Sequence, residues 1–111
     1  MCRAVKVLCV APDRAQLVSL KQEVVAAEWE LSPGATDLRG ALDQLDMERP
    51  HMLVVFGPFE ELVALAADRF PGMRIVTDRA MPGAGVVVGT GSEARAALRE
   101  QPRPGGPVGT G

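Results

Sequence analysis

Gly89-Thr90-Gly91-Ser92-Glu93-Ala94 follows a run of valines and matches G-x-G-x-x-[GA], a turn whose backbone N–H groups can cradle a phosphate where a helix begins. A dinucleotide site also needs an acidic residue about 20 positions further on, where this chain has only a Gly/Pro-rich stretch. The motif is therefore read as a strand-to-helix turn, with an anion site at Gly91-Ser92 left open. Cys9 lies inside a strand-like segment, where a thiol is usually a small core hydrophobe. Cys2 stands near the terminus, and an extended segment would hold the two cysteines roughly 20 Å apart, too far for a disulfide. His51 has no Cys, His or carboxylate at ligand spacing and reads as a loop-edge residue. The acidic pairs Glu60/Glu61 and Asp43/Asp46 fall on helix faces, where carboxylates are ordinarily solvated. Phe56 and Phe59 flank Gly57-Pro58 as a candidate aromatic pair for a ligand, with packing the plainer expectation. Trp29 is expected to pack over the end of the first helix rather than anchor a partner.

These groups sit in a chain poor in catalytic side chains. Its 111 residues include one histidine, two cysteines and no tyrosine, which argues against an enzyme and against a metal or other cofactor. The length suits one domain with a real hydrophobic core. Apolar residues at 47% and charged residues at 23% exclude wholesale disorder. Twelve basic residues against 14 acidic give a net charge of −2, and no basic stripe is present to meet a phosphate backbone. Nucleic acid is thus not an expected partner. The longest apolar runs, such as 52–56 and 86–88, fall far short of the ~20 residues that span a bilayer. No signal-peptide core precedes the first strand, so the expected address is the cytoplasm.

The elements that must position these residues follow from apolar periodicity. Val5–Val10 is short, β-branched and almost continuously apolar, as a central strand covered on both faces should be. Asp13 is placed to cap a helix from Arg14 to about Glu28, whose Leu17, Leu20 and Val24 share a face. Trp29–Ser32 reads as a short strand. Thr36 or Asp37 caps a second helix carrying Leu38, Ala41, Leu42 and Leu45, which Arg49-Pro50 ends. His51–Phe56 is a second buried strand. Glu60 and Glu61 open a third helix that closes at Pro71-Gly72. Met73–Thr77 and Ala84–Val88 are further strands, and the six residues from Asp78 to Gly83 between them are too few for a full helix. Ser92 is expected to cap a last short helix. The division is a domain over 1–100 and a disordered Gly/Pro-rich tail over 101–111. Strands alternating with helices imply a parallel sheet layered between helices, an α/β/α sandwich of five strands.

The runs KVLCVAPDRAQLVSL, WELSPGATDLRGAL and RPHMLVVFGPF resemble a response-regulator receiver domain, a flavodoxin-like fold, over roughly residues 4–100. The resemblance implies an acidic pair holding Mg²⁺ after the first strand, a phosphoryl-accepting Asp ending the third, a Thr or Ser after the fourth and a Lys after the fifth. In this sequence the acidic pair falls on Ala11 and Pro12, with Asp13 alone nearby. The acceptor falls on Phe56 and the Lys on Gly89, while Thr77 or Asp78 stands near the Thr position. A phenyl ring cannot be phosphorylated, and one carboxylate is poor bait for a cation that wants several oxygens. The expectation is a pseudo-receiver. The stretch VVFGPFEELVALAADRFPGMRIV is also similar to degenerate receivers that precede MinD/ParA-like ATPases in pilus-assembly and polar-localisation proteins, though no G-x-x-x-x-G-K-[ST] loop occurs here.

The resemblance further implies a protein partner, in a homodimer or a larger assembly, met through the region of Arg79, Met81, Arg95 and Arg99. The alternative is a small-molecule or anion binder at the C-terminal edge of the sheet, around Asp13, Gly57 and Gly89-Thr90-Gly91.

Overall fold

A computed structural model describes residues 5–27 and 29–99; Cys2, Glu28 and the 101–111 tail lie outside the described residues. The elements run β1 (Lys6–Val10), α1 (Arg14–Val24), β2 (Glu30–Leu31), α2 (Leu38–Glu48), β3 (Met52–Val55), α3 (Glu60–Arg69), β4 (Arg74–Thr77), β5 (Val86–Val87) and α4 (Gly91–Arg99). All strand pairs are parallel, in the order β2-β1-β3-β4-β5. This is the expected five-stranded α/β/α architecture.

The apolar runs of β1 and β3 are buried on both faces because alternate residues feed two cores. Val7, Cys9, Met52 and Val54 point to one side, where Leu17, Leu20 and Val24 of α1 and Ala94 and Leu98 of α4 close over them. Leu8, Val10, Leu53 and Val55 point to the other and meet Ala41 and Leu45 of α2 with Leu62, Val63 and Ala66 of α3. Val10 registers with Val55, and Val55 with Thr77. The ends of the three central strands therefore open onto one edge.

Several boundaries differ from the sequence expectation. α1 stops at Val24, short of Glu28, because Val25 turns out of the helix and the Trp29 indole Nε1–H donates to the Val24 carbonyl at 3.0 Å. Trp29, buried at 7% exposure, thus packs over the helix end as expected. Asp37 rather than Thr36 caps α2, its Oδ1 accepting from the Gly40 N–H at 2.7 Å. Arg49, before Pro50, leaves the α region for the left-handed one at φ 48°.

Between β4 and β5 the chain turns without forming a helix. Met81 lies against the α2/α3 core. Gly83 sits at φ 93°, and a Cβ there would come within 3.0 Å of Ala67 on α3; only glycine lets the loop approach so closely. β5 keeps strand geometry over Val86–Val87 alone, not over Ala84–Val88. The flanking amides of Gly85 and Val88 still bond to the Ile75 and Thr77 carbonyls at 2.9 and 2.8 Å. Ser92 does not cap α4. That role falls to Thr90, whose Oγ1 accepts from the Glu93 N–H at 3.1 Å.

Candidate functional site at the C-terminal sheet edge

Ala11, Pro12 and Asp13 follow β1, Phe56 and Gly57 follow β3, Thr77 ends β4, and Gly89 follows the Val88 that prolongs β5. Residues far apart in sequence thus gather on one edge, where open α/β sheets bind their ligands. What distinguishes this edge is how its polar groups are already spent. Asp13 accepts from the Gln16 backbone N–H at 2.8 Å and from the Gln16 side-chain amide at 3.2 Å, as the N-cap of α1. The Gly57 N–H donates to Asp78 Oδ1 at 3.1 Å. Asp78 also receives Arg79 Nε at 3.1 Å, and Thr77, fully buried, donates its hydroxyl to the Arg79 carbonyl at 2.6 Å. The Gly89 N–H donates to Glu93 Oε1 at 2.6 Å.

The Gly57 and Gly89 backbone donors are thus occupied by the chain's own carboxylates. Burial pushes the Asp78 carboxyl up, but the Arg79 side chain and the Gly57 N–H outweigh it and hold the group below its ordinary value. The sequence offers Asp78 only as an alternative to Thr77 at the Thr position, and Glu93 only as part of a strand-to-helix turn. Thr90-x-x-Glu93 is a capping-box spacing that announces the second role. No local signal announces the first, because Gly57 and Asp78 stand 21 residues apart.

A divalent cation finds no fitting donor set at this edge. Ala11 is fully buried and has no side-chain donor, Pro12 adds none, and Asp13 is committed to its helix. Among the described residues, no three His, Cys, Asp or Glu side chains converge as ligands would. The remaining titratable candidates are scattered. Cys9 is fully buried in the α1/α4 core, and desolvation pushes its thiol up to about 12, which leaves it inert at neutral pH. His51 lies at the opposite edge, its Nδ1 accepting the Lys6 N–H at 3.2 Å. Glu60, Glu61 and Asp43 are exposed, and Asp46 pairs with Arg69 across α2 and α3 at 3.3 Å.

No family model and no curated protein matches the sequence. Solved structures do. A response regulator receiver domain protein (CheY-like) from Methanospirillum hungatei JF-1 matches with a TM-score of 0.72 at 21% identity, over 88% of this chain and 93% of that one. The signal receiver domain of an HD domain-containing protein from Pseudomonas fluorescens Pf-5 gives 0.71 at 19%, over 87% and 93%. The isolated REC domain of RcsB from Salmonella enterica serovar Typhimurium, in the presence of phosphomimetic BeF3−, gives 0.65 at 18%, over 89% and 91%. The fold is that of a CheY-like receiver domain.

On this receiver fold the two phenylalanines do not form a pair. Phe56 packs with the α1/α4 core and Phe59 with the α2/α3 core. Phe59 and Pro12 close around Gly57, which sits at φ 114°, and a Cβ there would lie 3.1 Å from both rings. The residues expected at the partner face are also divided. Met81 is half-buried on the α2/α3 side and Arg79 is held by Asp78, while Arg95 and Arg99 ride on α4 across the sheet. The edge strand β5, with Val87 51% exposed, lies between the two groups. Among the described residues, no helix is long and apolar enough to cross a membrane.

Proposed function

We propose that this chain is a pseudo-receiver, a signalling module that works through protein–protein contacts without phosphotransfer. Its positions Ala11, Pro12, Asp13, Phe56, Thr77 and Gly89 replace the receiver's working residues. The observation that carries the reading is the side chain at the end of β3. Phe56 is a half-buried phenyl ring packed on the α1/α4 core, with no oxygen to accept a phosphoryl group. The strand-end carboxylates that remain, Asp13 and Asp78, are tied to a helix cap and to Gly57 with Arg79. Such a scaffold keeps its surfaces and lacks its reaction, as an adaptor in bacterial signalling, regulation or localisation would. The sequence likeness to receivers that precede MinD/ParA-like ATPases fits the same role. The partner is a protein, in a homodimer or a larger assembly, and the chain works in the cytoplasm. The face we assign to it runs from Arg79 and Met81 around β5 to Arg95 and Arg99.

The small-ligand reading is disfavoured at two of the glycines it invokes. The Gly57 and Gly89 amides already hold Asp78 and Glu93, and an anion would have to displace a carboxylate from each. The test is incubation with Mg²⁺ and a small acyl phosphate, read by intact-mass spectrometry. The expected result is no mass gain. A stable phosphoryl adduct on any residue of the folded chain would overturn the reading.

A further inference from the structure

A hollow of about 320 Å³ opens beside Phe56, lined on its other sides by Ala15, Gln16, Ser19, Leu20 and Glu23 of α1. Its volume is near the lower end of the roughly 300–1,000 Å³ range of ligand pockets, suited to one long side chain. Most of the lining is apolar, and one wall is the aromatic ring. Glu23 is the only ionisable residue on it. Among the described residues Glu23 makes no hydrogen bond or ion pair. The Glu23 side chain also lies against the start of α4. Gly91 packs so closely on it that a Cβ there would overlap the Glu23 side chain, and the start of α4 favours a negative charge at that place. Gln16, the other extended polar group, is turned to Asp13.

An unpaired carboxylate beside an accessible aromatic face is complementary to a cation on an apolar stem. We propose that this hollow receives an arginine side chain from a segment of a partner protein, its methylenes on Leu20 and Ala15, its guanidinium over Phe56 and paired with Glu23. A planar, weakly hydrated guanidinium satisfies ring and carboxylate together better than an ammonium does. The proposal rests on the interaction-module reading and names the chemistry of the partner. Its test is separate from the phosphorylation assay, so either can fail alone.

The experiment is an amide chemical-shift titration of the full chain at low salt, with acetylated and amidated Gly-Arg-Gly, Gly-Lys-Gly and Gly-Glu-Gly at millimolar concentrations. Gly-Arg-Gly should shift residues 15–23, Phe56 and Gly91, more strongly than Gly-Lys-Gly, and Gly-Glu-Gly should leave them in place. Glu23→Gln and Phe56→Leu, which keep size and fold, should each weaken the arginine response by about two- to fivefold. Absence of localised shifts, equal responses to the arginine and lysine peptides, or a response unchanged in both variants would overturn the proposal.

Discussion

Asp78 contributes to this edge out of proportion to its size, because one carboxylate closes two loops. Its Oδ1 takes the Gly57 N–H and the Arg79 Nε. Removing it leaves a buried glycine amide unpaired at the end of β3, so Asp78→Ala should destabilise the domain by about 1–3 kcal/mol in urea unfolding. The pH dependence follows from the depressed folded-state pKa. A carboxyl that ionises more readily when folded stabilises the domain above its unfolded value of about 3.9 and loses that contribution as pH falls through the folded value. The stability gap between the native chain and Asp78→Ala should thus be full at neutral pH and shrink below about pH 4. A gap constant across that range would mean that the charge is not what holds the loops. Asp78 and Glu93 thus occupy the Gly57 and Gly89 amides at this edge with the chain's own carboxylates.

Among the elements, α4 shows most plainly how local chemistry decides a boundary. Both Thr90 and Ser92 are residue types that cap helices, and the sequence reading places the cap at Ser92. The structure selects Thr90, because Glu93 then satisfies the Gly89 N–H while Thr90 satisfies the Glu93 N–H. Thr90→Ala should cost about 1 kcal/mol and Ser92→Ala close to nothing; thermal melts of the two variants would separate them, and the reverse order would restore Ser92 as the cap. The apolar runs of β1 and β3 were legible from sequence alone, since a central parallel strand has no polar face to show. The ends of α1 and β5 were not. α1 ends where a tryptophan side chain meets its last carbonyl, and β5 is confined to Val86–Val87, between Gly85 and Val88.

Across the whole molecule, stability rests on two cores separated by one sheet, with β1 and β3 contributing to both. Leu53 is fully buried on β3 against the α2/α3 side. Leu53→Ala should cost about 2–5 kcal/mol, a large share of the 5–15 kcal/mol typical of a domain. Trp29, the single tryptophan, reports from the opposite core. Its fluorescence and the far-UV circular dichroism should shift to the same lower urea midpoint in this variant, as expected when both cores unfold together. Midpoints that separate would instead divide the domain into two cooperative units.

The sequence by itself determined the strands and helices, their alternation and hence the parallel sheet, and the apolar side chains that stand at Ala11, Pro12 and Phe56. Side-chain type and short-range periodicity are carried locally along the chain. Only the tertiary structure decided that Phe56 and Phe59 face opposite cores, that Asp78 bonds to Gly57, and that Glu23 lines a hollow beside Phe56. Each of those depends on strand register and helix packing, which bring together residues that no spacing in the sequence relates.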